Sequence, residues 1–143
     1  MKEKSTCHTH LWGHEEWLTN NELYCAKYLI LKHGYMSSLH YHKIKDETFI
    51  IIKGEVLLEV GGPCQLGLEK LYKKSKKIIL KVGDIYRLNP HTVHRFRAIT
   101  GSAIILEVST HHDDEDSVKL KVARELNKND NKCYTIYRRK NDR

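Results

Sequence analysis

The chain reads as an all-β domain, a sandwich or barrel of short antiparallel strands. Two observations carry this reading. From Leu23 onward, short runs rich in β-branched and aromatic residues follow one another, and turn signals separate them at His33-Gly34, Lys53-Gly54 and Gly61-Gly62-Pro63. No internal repeat or low-complexity block competes with that pattern.

Taken in order, residues 1–21 are polar and without periodicity, and are expected to form an irregular N-terminal arm anchored by Trp12 and Trp17. Strands are predicted at Tyr24 to Leu31, Leu39 to His42, Thr48 to Lys53 and Val56 to Val60. A basic insertion from Gly62 to Lys77 is expected to be a hairpin extension or flap, with a helical turn around Leu66 to Tyr72. Strands resume at Ile78 to Val82, Ile85 to Leu88, Val93 to Ala98 and Ala103 to Ser109. Beyond Ser109 comes the run His111 to Asp116, expected to stay solvated, and then Val118 to Leu126, which fits a short helix or an edge strand equally well.

A length of 143 residues suits one domain with one core, spanning about residues 22 to 110 and followed by a C-terminal extension over 111–143. The formal charge of +7 comes largely from Lys70 to Lys77 and from Arg138 to Lys140. Neither run interleaves basic residues with a stacking platform of aromatics, so solvated segments are expected and nucleic-acid binding is not. The positive balance would still attract an anionic small molecule such as a sugar phosphate. No apolar stretch approaches the roughly 20 residues of a membrane helix, and the polar start has no signal core behind it, so a cytoplasmic protein is expected. Cys7, Cys25, Cys64 and Cys133 form no C-x-x-C pair and read as free thiols.

The chemistry concentrates between Gly34 and Gly54. His40 and His42 are two residues apart on a predicted strand, so both rings face one side. Glu47 follows across a turn, and His94 lies on a later strand. Three imidazoles and a carboxylate suit a divalent transition metal with open positions; zinc, iron, manganese, nickel and cobalt all fit the donor set. On Ala103 to Ser109, Ile105, Glu107 and Ser109 share one face of a strand whose faces are both largely apolar. A buried Glu107 requires either an inward lysine or arginine as its partner, or a task as a general base of raised pKa across the cavity from the metal. Alternation turns Tyr41, Arg95 and Arg97 away from the cavity and leaves Lys45 in the turn before Glu47, while His91 sits in the loop ahead of His94 as a candidate proton relay. The run Cys7 to His10 has no second half with which to complete a zinc site.

The spacing G-x5-H-x-H-x4-E-x6-G, filled by Gly34, His40, His42, Glu47 and Gly54, resembles the first cupin motif, and Gly83 to His94 resembles the second. In the second motif Asn89 stands where the family usually has proline, His91 replaces the turn glycine, and Ala98 replaces a later asparagine. The resemblance implies a cupin jelly roll closing two sheets around a ligand cavity, and, by analogy, a homodimer. The flanks, Trp12 to Lys27 and Glu107 to Asp116, are similar to small mannose-6-phosphate isomerase-like and D-lyxose isomerase-like cupins. That similarity implies metal-dependent aldose to ketose interconversion of a sugar or sugar phosphate through an enediolate, with Glu107 as base and Glu107 or His91 returning the proton. Other cupins imply two alternatives: an iron-dependent dioxygenase, and a metal- and sugar-binding module without catalysis.

Overall fold

Strict alternation along Cys25–Leu31 explains its conformation: Cys25, Lys27, Leu29 and Leu31 are buried and the residues between them are half-buried, as a strand covered on one side requires. The computed structural model describes residues 1–63 and 75–130. Among the described residues thirteen strands follow in chain order: β1 Thr6–His10, β2 Gly13–Asn20, β3 Cys25–Leu31, β4 Tyr35–Met36, β5 Leu39–His42, β6 Glu47–Lys53, β7 Val56–Pro63, β8 Lys76–Leu80, β9 Ile85–Leu88, β10 Thr92–Ala98, β11 Ala103–Ser109, β12 Ser117–Lys121 and β13 Arg124–Glu125.

They form a six-stranded sheet, β1-β2-β3-β11-β6-β9, and a five-stranded sheet, β12-β5-β10-β7-β8, with β13 and β4 as a separate pair. All pairings among them are antiparallel. One core fills the space between the sheets: Leu29, Phe49, Ile51 and Ile105 from the first meet Leu58 and Phe96 from the second. This is the all-β jelly roll expected. A second apolar cluster, Leu39, Tyr41 and Val93 with Val118 and Leu120 against it, is built from the alternate residues of β5, β10 and β12. Tyr41 therefore points away from the face that carries His40 and His42, because successive side chains on a strand take opposite faces.

The N-terminal arm departs from expectation. Residues 6–20 form a hairpin, not an irregular arm, and β2 pairs along β3 from Gly13 opposite Leu31 to Asn20 opposite Cys25. Every residue of β2 is half-buried, so no hydrophobic alternation marks it in the sequence. Backbone pairing supplies what side-chain pattern does not. Trp12, at the tip, is buried and meets the Phe96 ring edge-on at 5.2 Å, which ties the hairpin to the opposite sheet. Trp17 has another role: it lies over the Lys27 ammonium at 4.3 Å and stacks on His8 at 4.1 Å.

The open choice at Val118 to Leu126 is decided for strand over Ser117–Lys121, where Val118 pairs with Tyr41 and Lys119 with His40. Arg95 and Arg97 do alternate away from His94 and Phe96; Arg95 is ion-paired with Glu59, and Arg97 donates to the Asp130 carbonyl. Gly54 takes a left-handed turn (φ 74), and a Cβ there would fall 2.6 Å from the Ser102 carbonyl oxygen, so the β6–β7 turn requires glycine. The helical turn expected around Leu66 to Tyr72, most of the run Lys70 to Lys77, the tail Arg138 to Lys140, and the thiols Cys64 and Cys133 lie outside the described residues. Cys7 and Cys25 are free thiols, and among the described residues no helix is long and apolar enough to cross a membrane.

If the hairpin is part of the core, Trp12→Ala should lower unfolding free energy by about 3–5 kcal/mol, as for other large buried aromatics. Urea titration followed by circular dichroism measures it, and a loss below about 1 kcal/mol would mean that Trp12 merely covers the surface.

Candidate active site

Pairing of β10 with β5 puts His94 directly opposite His40, and the two-residue spacing adds His42 on the same face. Ligand nitrogens of His40, His42 and His94 all lie within 4.8 Å of one another, a group that could hold a metal ion. Backbone carbonyls set the tautomers. His40 donates its Nδ1–H to the Ser38 carbonyl at 2.9 Å and His94 donates its Nδ1–H to the Thr92 carbonyl at 2.8 Å, which leaves Nε2 of each as a lone pair. Burial holds His40 down to about 3 and His42 down to about 2, so both rings are neutral and ready to ligate.

Glu47 lies against this group. Its Oε1 lies 2.8 Å from His94 Nε2 and 3.9 Å from His42 Nε2, yet Glu47 Oε1 and His94 Nε2 are both buried without a hydrogen-bond partner. Two lone pairs converge there with no proton aligned between them, which is the arrangement a shared cation relieves. The donor set therefore fits a divalent transition metal.

The other Glu47 oxygen is committed elsewhere. Oε2 accepts from the Lys45 ammonium at 3.0 Å, and the same ammonium donates to Glu107 Oε2 at 3.0 Å. Lys45 lies in the turn before Glu47 as expected, but its side chain is buried and enters the site. No strand period marks it, because it precedes β6. Burial would push the Lys45 ammonium down, but the Glu107 and Glu47 carboxylates outweigh it and raise its pKa. For Glu47, burial acts upward and is overcome chiefly by the Lys45 charge, which holds it well below the usual carboxylate range. Glu107 goes the other way: burial raises it and Lys45 offsets only part of that.

Both readings of Glu107 thus coexist, since it is paired with a lysine and also lines a cavity of about 500 Å3 together with His40, His42, Glu47 and Lys45. His91 does not belong there. Its ring lies 5.9 Å from Tyr41, the residue that faces away from His40 and His42, and it takes no part in the three-histidine group. What it contributes is backbone: it takes a left-handed conformation (φ 68), the geometry usual for glycine at this turn, and donates its N–H to the His42 carbonyl at 2.7 Å.

The N-terminal hairpin adds residues that no motif announced. Glu15 lines the cavity and accepts from His10 at 2.8 Å and from the fully buried Lys27 at 3.4 Å. Burial would raise Glu15, but the His10 hydrogen bond and the Lys27 charge prevail and lower it to about 2. His112 accepts at Nδ1 from Lys45 at 3.1 Å, and Asp116 is buried, so the acidic run is not simply solvated as expected.

Metal analysis of the purified protein should find stoichiometric metal that is lost in His40→Ala and His94→Ala; unchanged content would remove the metal site. A second outcome follows from Glu15. Its folded pKa of about 2 lies below its ordinary 4.5, so its contribution to stability is present above pH 4.5 and lost as pH falls through 2. Between those limits the thermal midpoint of wild type should fall more steeply than that of Glu15→Gln, and parallel curves would contradict the pairing.

Comparison with known proteins agrees with this architecture. The cupin domain family matches residues 27–109. Among curated proteins, the D-lyxose/D-mannose isomerase of Thermosediminibacter oceani is 35% identical over 113 residues, covering 69% of this chain and 62% of the relative. The D-lyxose ketol-isomerase of a Thermofilum species is 33% identical over 113 residues, covering 69% and 63%. The chain thus spans somewhat under two thirds of the length of these relatives. Of solved structures, Bacillus subtilis oxalate decarboxylase superposes with a TM-score of 0.67 at 18% identity, over 81% of this chain and 30% of that one. KdgF from a Halomonas species superposes with a TM-score of 0.62 at 15% identity, over 79% and 90%. These two show the fold alone. With its matched domain running from β3 through β11 and its histidines clustered between two antiparallel sheets, the chain belongs to the cupin family.

Proposed function

We propose that the protein is a metal-dependent aldose–ketose isomerase acting on a sugar or sugar phosphate. The observation that carries this reading is the Glu107 carboxyl in one cavity with His40, His42 and Glu47, with His94 grouped beside them against Glu47 Oε1. The names of the two isomerase relatives support the substrate class. A divalent transition metal held by the three histidines and Glu47 would supply Lewis-acid stabilisation of negative charge developing on substrate oxygen.

The remaining work falls to the chain's own groups. Lys45 and Ser109 both bond Glu107 Oε2, at 3.0 and 3.3 Å, which leaves Oε1 to meet the substrate. Glu107 removes the proton from the carbon beside the carbonyl, and the electron pair moves into a carbon–carbon double bond to give an enediolate. The same carboxyl returns that proton to the former carbonyl carbon, while the hydroxyl proton passes to the former carbonyl oxygen. No second carbon acid–base group is required, so the displacement of His91 from the cavity leaves the scheme intact. Burial raises Glu107 above its ordinary value, which makes its carboxylate a stronger base. Lys45 holds Glu107 and Glu47 in fixed relation, so base and metal ligand are positioned together.

Incubation of metal-loaded protein with pentoses, hexoses and their phosphates in deuterated water should incorporate deuterium at the carbon next to the carbonyl. Glu107→Gln should slow that exchange by about 10²–10⁴-fold without loss of metal. No exchange with any sugar would sink the reading. Oxygen consumption with ferrous protein would replace it by a dioxygenase, and sugar binding without exchange would replace it by a binding module.

A further inference from the structure

The acidic run after β11 is exposed by composition, yet its side chains are turned to specific tasks. One carboxylate, Asp116, accepts three consecutive backbone N–H groups of the β5–β6 turn: Lys43 at 3.0 Å and Ile44 at 2.9 Å on Oδ1, and Lys45 at 2.9 Å on Oδ2. Asp113 caps the short 3-10 turn Asp114–Asp116 by accepting the Glu115 N–H at 3.0 Å. His112 donates its Nε2–H to Asp114 at 2.7 Å and accepts from the Lys45 ammonium at Nδ1. Both ring nitrogens are engaged, so His112 acts as a strut and offers no nitrogen to a substrate. Its backbone is pinned in turn by the Asn20 side chain, which accepts from the His112 N–H at 3.0 Å and donates to its carbonyl at 3.1 Å.

The consequence falls on Lys45. An ammonium has three hydrogens to donate, and here they meet three acceptors: Glu47 Oε2, Glu107 Oε2 and His112 Nδ1. Two belong to the site already described. The third, and the backbone from which the side chain leaves, are set by the acidic run. We propose that the segment from His112 to Asp116 is a positioning bracket for Lys45, with Asp116 fixing the turn and the Asp114–His112 pair fixing where the ammonium stops. The proposal rests on the isomerase reading for its effect on turnover, but the hold on Lys45 stands independently of any substrate. Loss of His112 leaves a buried charged donor short of an acceptor, and Lys45 then draws Glu107 out of register with the metal ligands.

The test uses the full zinc-loaded chain with 15N-labelled lysine and four substitutions: Asp116→Asn, His112→Phe, Lys45→Met to assign the signal, and Glu115→Gln as a charge control. Wild type should give a protected ammonium cross-peak that Lys45→Met removes. His112→Phe should abolish or broaden it and Asp116→Asn should shift it, while Glu115→Gln leaves it in place. With whichever sugar exchanges fastest, kcat in His112→Phe and Asp116→Asn should fall about 10- to 100-fold, with KM within about threefold of wild type. Rates are taken per metal-loaded folded protein, so that loss of stability alone does not count as loss of kcat. His112→Phe keeps an aromatic ring in place while removing both ring nitrogens, and supplies the answer should Asp116→Asn fold poorly. An unchanged ammonium signal in both variants overturns the bracket, as does a lost signal with kcat within about twofold of wild type. If wild type exchanges no sugar, the isomerase reading fails, and the ammonium signal still decides whether the segment holds Lys45.

Discussion

The site is organised by one buried ammonium. Lys45 sits between Glu47 and Glu107, and none of the three could be placed there without the others, since an isolated charge removed from water is far costlier than a satisfied group. The pairing divides Glu47 between two tasks. Its Oε2 is held by Lys45, and its Oε1 is thereby turned toward His94 and His42. The same ammonium fixes Glu107 on β11. Glu47 and the candidate base Glu107 are thus positioned by one group, through contacts of equal length.

The rest of the fold serves that arrangement through the two-residue period of a strand. On β5, Leu39 and Tyr41 pack against Val118 and Leu120 while His40 and His42 turn inward. On β10, Val93 joins the outer cluster, and His94 and Phe96 face the interior. A one-residue slip of either strand would exchange the inward histidines for apolar side chains, so the outer cluster specifies register as well as stability. The hairpin β1–β2 extends the opposite sheet and brings Glu15, with Lys27 and Trp17 behind it, to the cavity.

Much of this arrangement is legible in the chain itself. β5, β9 and β11 span the residues that turn signals and β-branched runs indicate, and the histidines are grouped as their spacing implies. Three features are not legible, for physical reasons. The N-terminal hairpin has polar residues on both faces, so its pairing leaves no hydrophobic period to read. Lys45 belongs by residue type to the surface, and it becomes an interior group only when the distant Glu107 joins the neighbouring Glu47 on its ammonium. The acidic run reads as solvated because Asp116 finds its partners in backbone amides more than 70 positions away.

By itself, then, the sequence determined the all-β class and the common face of His40 and His42, because both depend on local period and spacing. Tertiary structure decided the partners. It put Glu107 and Glu47 on one lysine, drew His112 and Asp116 onto that lysine's turn, and set His91 against Tyr41 and out of the cavity. Those outcomes depend on which distant groups satisfy a buried charge, and charge satisfaction leaves no periodic mark along a chain.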